Sequence, residues 1–274
     1  MRPRYNFSSR RTGQARDPKN YLKKKKKFPE IAQKVLDQSD IILEVLDARF
    51  PNETKNNALE EFCQNKNKKL IYVLNKSDLI SKEKIKIPKG ISLIVSGKNR
   101  SGIKKLRDKI KELSREIQKK GKITVGVLGY PNLGKSTIIN LLIGKKSAGT
   151  GAEAGFTKGL QKLKLTSEII IFDTPGVIPE NEYSTDKLEK LTKHAKINSK
   201  SYSQVKDPEQ IITLLFNEYK TAFQKHFKIK TNSSEELIEK VGREKNFLKK
   251  GDKVNFDKAS RYILKEWQDG LIEI

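Results

Sequence analysis

The sequence predicts an α/β fold with a mostly parallel sheet, followed by a small α-helical C-terminal domain. Two observations carry this. Short, unbroken apolar runs alternate with helical stretches as far as about residue 180, the pattern of strands buried on both faces beneath crossover helices. Beyond Pro179 such runs stop and amphipathic helical stretches take over.

In chain order, residues 1–27 read as a basic arm ending in Lys23–Lys27. A helix carrying Ile31, Val35 and Leu36 follows. Ile41–Leu46 is a buried strand closed by Asp47, and Ala58–Phe62 lies on a short helix. Leu70–Leu74 is a second strand, ending at Asn75. Ile91–Val95 is a third, ending at Ser96. Ile103–Ile117 is a helix with Leu106, Ile110, Leu113 and Ile117 on one stripe. Ile123–Leu128 is a fourth strand, ending at Gly129, and Ser136–Ile143 is a helix. Leu160–Leu165 and Ile169–Phe172 are two further strands. Helices are expected at about 185–197, 208–226, 233–247 and 256–268, with no strands among them. The division is therefore 1–27, 28–179 and 180–274. In sheets of this kind ligands bind beyond the carboxyl ends of the strands.

Composition narrows the partners. Lys and Arg number 58 against 33 Asp and Glu, a formal charge of +25. A polyanion is the natural counterpart, nucleic acid first, because each neutralised phosphate releases counterions. A genome bias toward Lys or a hot habitat is the bland alternative. Cys63 is the one cysteine, so neither an internal disulfide nor a Cys-based zinc site can form, as fits a reducing cytoplasm. The arm has no apolar stretch behind it and reads as neither a secretory signal nor a membrane span.

The strongest motif is Gly129-Tyr130-Pro131-Asn132-Leu133-Gly134-Lys135-Ser136. It matches the phosphate-loop pattern and lies between a strand and a helix. Its backbone N–H groups, from Asn132, Leu133 and Gly134 through Thr137, can close on phosphates at a helix N-terminus. Lys135 reaches the β and γ oxygens, and Ser136 ligates Mg²⁺. Asp173-Thr174-Pro175-Gly176 follows the last strand. Asp173 can hold Mg²⁺, and the Gly176 N–H can sense a γ-phosphate. Between them, Thr157 in Gly155–Gly159 is the candidate switch threonine on Mg²⁺. Lys135, Thr157 and Gly176 are the expected catalytic residues.

Asn75-Lys76-Ser77-Asp78 ends the second strand. Asp78 can accept from guanine N1–H and the exocyclic amine together, a donor pair adenine lacks. Asn75 can reach N7, and the Lys76 stem can lie along the ring. Ser96 and Gly97 can offer backbone N–H groups to the guanine oxygen.

In an ordinary GTPase the phosphate loop comes first and the guanine motif later; here that order is rotated. The sequence therefore resembles the circularly permuted P-loop GTPases of the YlqF/YawG family, the group that includes ribosome biogenesis GTPase A. Ser39-Asp40, Asp47-Ala48-Arg49-Phe50-Pro51, the Gly-Tyr-Pro-Asn of the phosphate loop and the segment Ala259–Gly270 support that branch. The resemblance covers about 28–180 strongly and 180–274 loosely. It implies a GTP/GDP switch enzyme in ribosome assembly, on the large subunit, with ribosomal RNA contacted by the C-terminal helices. Lys245, Lys249, Lys250 and Arg261 are candidate phosphate contacts there. The resemblance also implies K⁺ beside Asn132. Val177 stands where Ras-like enzymes orient water with Gln, so intrinsic hydrolysis is expected to be slow and stimulated by the ribosome and K⁺. An RNA-binding scaffold with little hydrolysis and a small-subunit assembly GTPase are the alternatives. Trp267 reads as a core anchor of the last helix. His194 and His226 read as structural or surface groups far along the chain from the motifs.

Overall fold

A computed structural model describes residues 27–118, 120–144, 161–174, 176 and 188–274. The basic arm to residue 26, Gly155–Gly159 with Thr157, Pro175, and Val177 with the segment that follows it lie outside the described residues.

The sheet has six strands in the order β3-β2-β1-β4-β6-β5. They are β1 (Ile41–Asp47), β2 (Lys69–Asn75), β3 (Ile91–Ile94), β4 (Ile123–Leu128), β5 (Gln161–Lys164) and β6 (Ile169–Asp173). Five run parallel, and β5 closes one edge antiparallel to β6. Strand β1 sits between β2 and β4, so the two halves of the chain interlock at the centre of the sheet. Asp47 pairs with Asn75, and Val127 with Asp173. The carboxyl ends of the parallel strands therefore share one edge.

Alternation along β1 assigns its side chains to two layers. Ile41, Leu43 and Val45 join Leu106, Ile110 and Leu113 of helix α4 (Ile103–Glu116) and Ile138, Ile139 and Leu142 of α5 (Lys135–Ile143). Ile42 packs instead with Ala32 of α1 (Lys27–Gln38), Leu59 and Cys63 of α3 (Asn57–Asn65), and Leu128. The one-turn helix α2 (Pro51–Thr54) joins β1 to α3.

The C-terminal region contains α6 (Leu188–Lys196), α7 (Pro208–Phe227), α8 (Ser234–Glu244) and α9 (Phe256–Gln268). Caps fix three of these starts: Asp207 accepts from Gln210 N–H, Ser233 from Glu236 N–H and Asn255 from Lys258 N–H. Helix α7 is kinked at Tyr219, which has φ −124°. A two-stranded hairpin, β7 (Leu248–Lys249) and β8 (Lys253–Val254), separates α8 from α9. This corrects the expectation of a strand-free region: the strands are too short to leave an apolar run, and a Lys250-Gly251-Asp252 turn connects them.

Trp267 is 1% exposed and anchors α9, as its sequence context predicts. Its ring stacks on Phe223 at 5.5 Å and on Phe50 at 6.0 Å, and its Nε1 donates to Lys196 O at 3.1 Å. Through Phe50, one continuous apolar cluster runs from the sheet into the helical region.

Candidate nucleotide site

Three loops meet at the carboxyl edge of the sheet: 75–79 after β2, 95–98 after β3, and 129–136 after β4. Asn75 ties them together. Its Nδ2 donates to Leu133 O at 2.7 Å, and its Oδ1 accepts from Gly97 N–H at 3.0 Å. The amide is 3% exposed and committed at both ends to backbone, so it staples the phosphate loop to the 96–97 loop. Gly134, at φ +85°, is required by the same staple: a Cβ there would lie 2.5 Å from Asn75 Nδ2.

The Asp78 carboxylate is fixed from one side. Ser96 Oγ donates to its Oδ1 at 2.5 Å and itself accepts from Asn99 N–H. Asp78 faces a cavity of about 330 Å³ lined also by Asn75, Lys76, Gly97, Gly134 and Thr137. Lys76, in a left-handed conformation at φ +63°, sends its Nζ to Asp47 at 3.1 Å. Burial lowers the Lys76 ammonium pKa against the opposing pull of Asp47. Burial alone would raise Asp47, but Lys76 and Arg49 outweigh it and hold that carboxyl well below the usual range.

On the phosphate side, Lys135 is 6% exposed. Its Nζ donates to Gly129 O at 3.0 Å and to Tyr130 O at 2.7 Å. Burial lowers its pKa to about 8, with Asp173 acting in the other direction. Ser136 Oγ donates to Asp173 Oδ2 at 2.9 Å, while Asp173 Oδ1 is buried without a hydrogen-bond partner among the described residues. Burial raises the Asp173 carboxyl, and the Ser136 bond opposes this. A hydroxyl beside a buried carboxylate with an unused oxygen is a donor set of the kind Mg²⁺ takes. Thr174 Oγ1 donates to Val127 O and anchors the start of the γ-side loop. Gly176 approaches the phosphate loop so closely that a Cβ would lie 2.5 Å from Pro131 N. Asn132 is left-handed at φ +57°, with its Nδ2 buried and unpartnered among the described residues.

The structure thus brings Asn75, Lys76, Asp78, Ser96, Gly97, Asn132–Thr137, Asp173 and Gly176 to one sheet edge. Lys245 follows α8, and Lys249 and Lys250 lie on the β7–β8 hairpin. Lys249 and Lys250 are exposed, while Lys245 pairs with Glu244 and lies over the Tyr262 ring. Arg261 turns inward: it pairs with Asp257 and donates to Tyr202 O and Val205 O, so it holds the 202–205 turn rather than presenting a free cation.

Some residues at the site had no functional reading in the sequence. Asn198, Gln268 and Asp269 line the Asp78 cavity from the helical region, more than a hundred residues away along the chain, and no local pattern marks them. Asp47 and Arg49 do carry a signal, an acid and a base at the end of a buried strand. His194 is distant in sequence yet packs 6.2 Å from Tyr130 of the phosphate loop, with its Nδ1 bound to Ser199 Oγ. Its neighbour Lys193 reaches the Tyr130 hydroxyl at 3.2 Å.

A family described as 50S ribosome-binding GTPase matches residues 124–248, beginning in β4 just before the phosphate loop. A GTP-binding protein of Methanocaldococcus jannaschii is 39% identical over 90% of this chain and 67% of its own length. The nuclear GTP-binding protein NUG1 of Saccharomyces cerevisiae is 31% identical over 91% of this chain. The chain spans only 56% of that yeast protein. GDP-bound YlqF of Thermotoga maritima shares the fold, with a TM-score of 0.62 at 24% identity over 87% of this chain and 93% of that one. The rotated motif order, the sheet topology and the archaeal relative agree: this chain belongs to the circularly permuted GTPases of the YlqF/YawG family.

Proposed function

We propose that the chain binds GTP and GDP at the carboxyl edge of the sheet, hydrolyses GTP with Mg²⁺, and uses the exchange to time its stay on an assembling large ribosomal subunit. The convergence of Asp78, Lys135 and Asp173 on one edge carries this reading. Asp78 selects guanine, with Ser96 orienting it and the 96–97 backbone facing the base oxygen. The N–H groups of Asn132 to Thr137 cradle the phosphates, and Lys135 leaves its two carbonyl partners to meet the β and γ oxygens. Ser136 and Asp173 would hold Mg²⁺, with Thr157 proposed as a further ligand; when bound, the ion would supply neutralisation of charge on the transferring phosphoryl group. Gly176 senses the γ-phosphate.

The division at residue 180 is functional in this proposal. Residues 28–179 switch, while the basic arm and the helical region hold ribosomal RNA in the cytoplasm. Lys249 and Lys250 on the hairpin are the foremost phosphate contacts of the helical region. The charge of +25 supports that assignment, as does the family's ribosomal description. Among the described residues no helix is long and apolar enough to cross a membrane.

Hydrolysis is slow alone and faster with subunits and with K⁺ held near Asn132. Equal turnover in KCl and NaCl would remove K⁺ from the mechanism. Sedimentation with large or small subunits, at stated salt and with a non-hydrolysable GTP analogue, tests the partner. Co-sedimentation with the large subunit is expected, and binding to the small subunit alone would reject the assignment.

A further inference from the structure

Asp47 and Arg49 are buried charges outside the nucleotide machinery proposed above. Buried ion pairs gain little net stability over apolar packing, so their partners show what they position. Arg49 grips Asp47 with Nε at 3.0 Å and Nη2 at 2.9 Å. On one side Asp47 holds Lys76 of the base-reading loop at 3.1 Å. On the other, Arg49 Nη1 donates to Trp267 O at 3.2 Å, at the end of α9. A chain of charge-assisted contacts therefore links the guanine loop to the last helix.

Two further contacts follow the same direction. Gly270 lies against Leu79, the residue after Asp78. At φ +75° a Cβ on Gly270 would come 2.5 Å from Leu79 Cδ1. The cavity beside Asp78 also has Asn198, Gln268 and Asp269 in its wall. Gln268 is locked there: its Nε2 donates to Ala195 O and Lys200 O, and its Oε1 accepts from Tyr202 N–H.

We infer that Asp47 and Arg49 are positioning residues that couple guanine binding to the seating of α9, whose end supplies one wall of the base pocket. The inference rests on guanine nucleotide occupying the pocket around Asp78. Nucleotide in the pocket holds α9 down, and a seated α9 tightens nucleotide. Linkage makes this reciprocal: a partner that lifts α9 weakens nucleotide binding by the factor with which nucleotide opposes that partner.

Trp267, the single tryptophan, gives a built-in probe, because its own carbonyl accepts the Arg49 bond. GDP is titrated into the full chain by calorimetry and, separately, by tryptophan emission, and hydrogen exchange is followed over residues 256–272. In the wild type, emission is expected to follow the calorimetric isotherm, with α9 amides gaining about tenfold protection. Arg49→Lys keeps the charge but loses the fork. It is expected to weaken GDP about tenfold and to abolish the GDP-dependent protection of α9. Gly270→Ala strains the Leu79 contact from the other side and is expected to weaken GDP similarly. It is the deciding variant should Arg49→Lys not fold. Absence of calorimetric GDP binding in the wild type would overturn the nucleotide reading itself. Normal GDP binding with no response in α9 would overturn the coupling alone, as would wild-type affinity in the folded variants.

Discussion

Two carboxylates decide separate properties of the molecule at the level of single residues. Asp78 is held by Ser96 with its free side toward the cavity. If Asp78 reads guanine as proposed, Asp78→Asn would put an amide donor in place of one acceptor oxygen for guanine's paired donors. GDP affinity is expected to fall by about 100-fold or more, with a gain for xanthosine diphosphate, read by competition binding. Unchanged preference for guanine would displace Asp78 from the base site. Glu44 sits mid-strand in β1, 1% exposed, with Oε1 accepting from Asn56 N–H at 2.6 Å and Oε2 without a partner among the described residues. Burial pushes its carboxyl from 4.5 up to about 8, against the Asn56 bond. The folded state thus holds this proton more tightly than the unfolded chain. Its contribution to stability is complete below about pH 4.5 and is lost as pH rises through 8. Glu44→Gln keeps the Asn56 contact and abolishes the titration. The variant is expected to match wild type near pH 5 and to exceed it by roughly 1–3 kcal/mol at pH 8.5, measured by denaturant unfolding at both values. A constant difference between the two pH values would contradict that assignment.

Loops on rigid strand ends build the site at the level of elements, and this is the level the sequence reports best. The apolar runs locate the five parallel strands of the main sheet, because a strand covered on both faces leaves an unbroken apolar stretch, whereas β5 is a largely exposed edge strand that shows only the alternation within Leu160–Leu165. The phosphate loop is equally legible, since its glycines and Lys135 are needed at fixed spacing. Asn75 was recognisable as a site residue, but its work as a staple between two loops was not. That depends on the spatial neighbours Leu133 and Gly97, which only the sheet order brings together. Gly134→Ala tests the staple: the added methyl would displace the Asn75 amide, and nucleotide affinity is expected to drop more than tenfold while the sheet stays folded. The β7–β8 hairpin escaped because two-residue strands have no periodicity to read. The Asn198, Gln268 and Asp269 wall escaped for a different reason. Each residue is an ordinary polar group in its own helix or turn, and only tertiary packing gives it a pocket to line.

For the whole molecule, the helical region is bound to the sheet through a short aromatic stack. Trp267→Ala would empty the space between Phe50 and Phe223. The expected loss is about 3–5 kcal/mol, and a thermal melt should show it as a fall on the order of 10 °C. A shift under about 2 °C would mean the stack is not what holds the parts together. Charge acts over longer distance. RNA affinity is expected to fall steeply with salt, and Lys249→Ala with Lys250→Ala should reduce the slope by about 2. The placement of β1 between β2 and β4 has a further consequence for how the protein is made. During synthesis the half that carries Asn75 and Asp78 emerges before the phosphate loop, and its innermost strand waits some eighty residues for β4. The phosphate half follows, and the wall around Asp269 comes after both. If guanine nucleotide binds as proposed, a nascent chain is expected to hold it less tightly until that wall has left the exit tunnel.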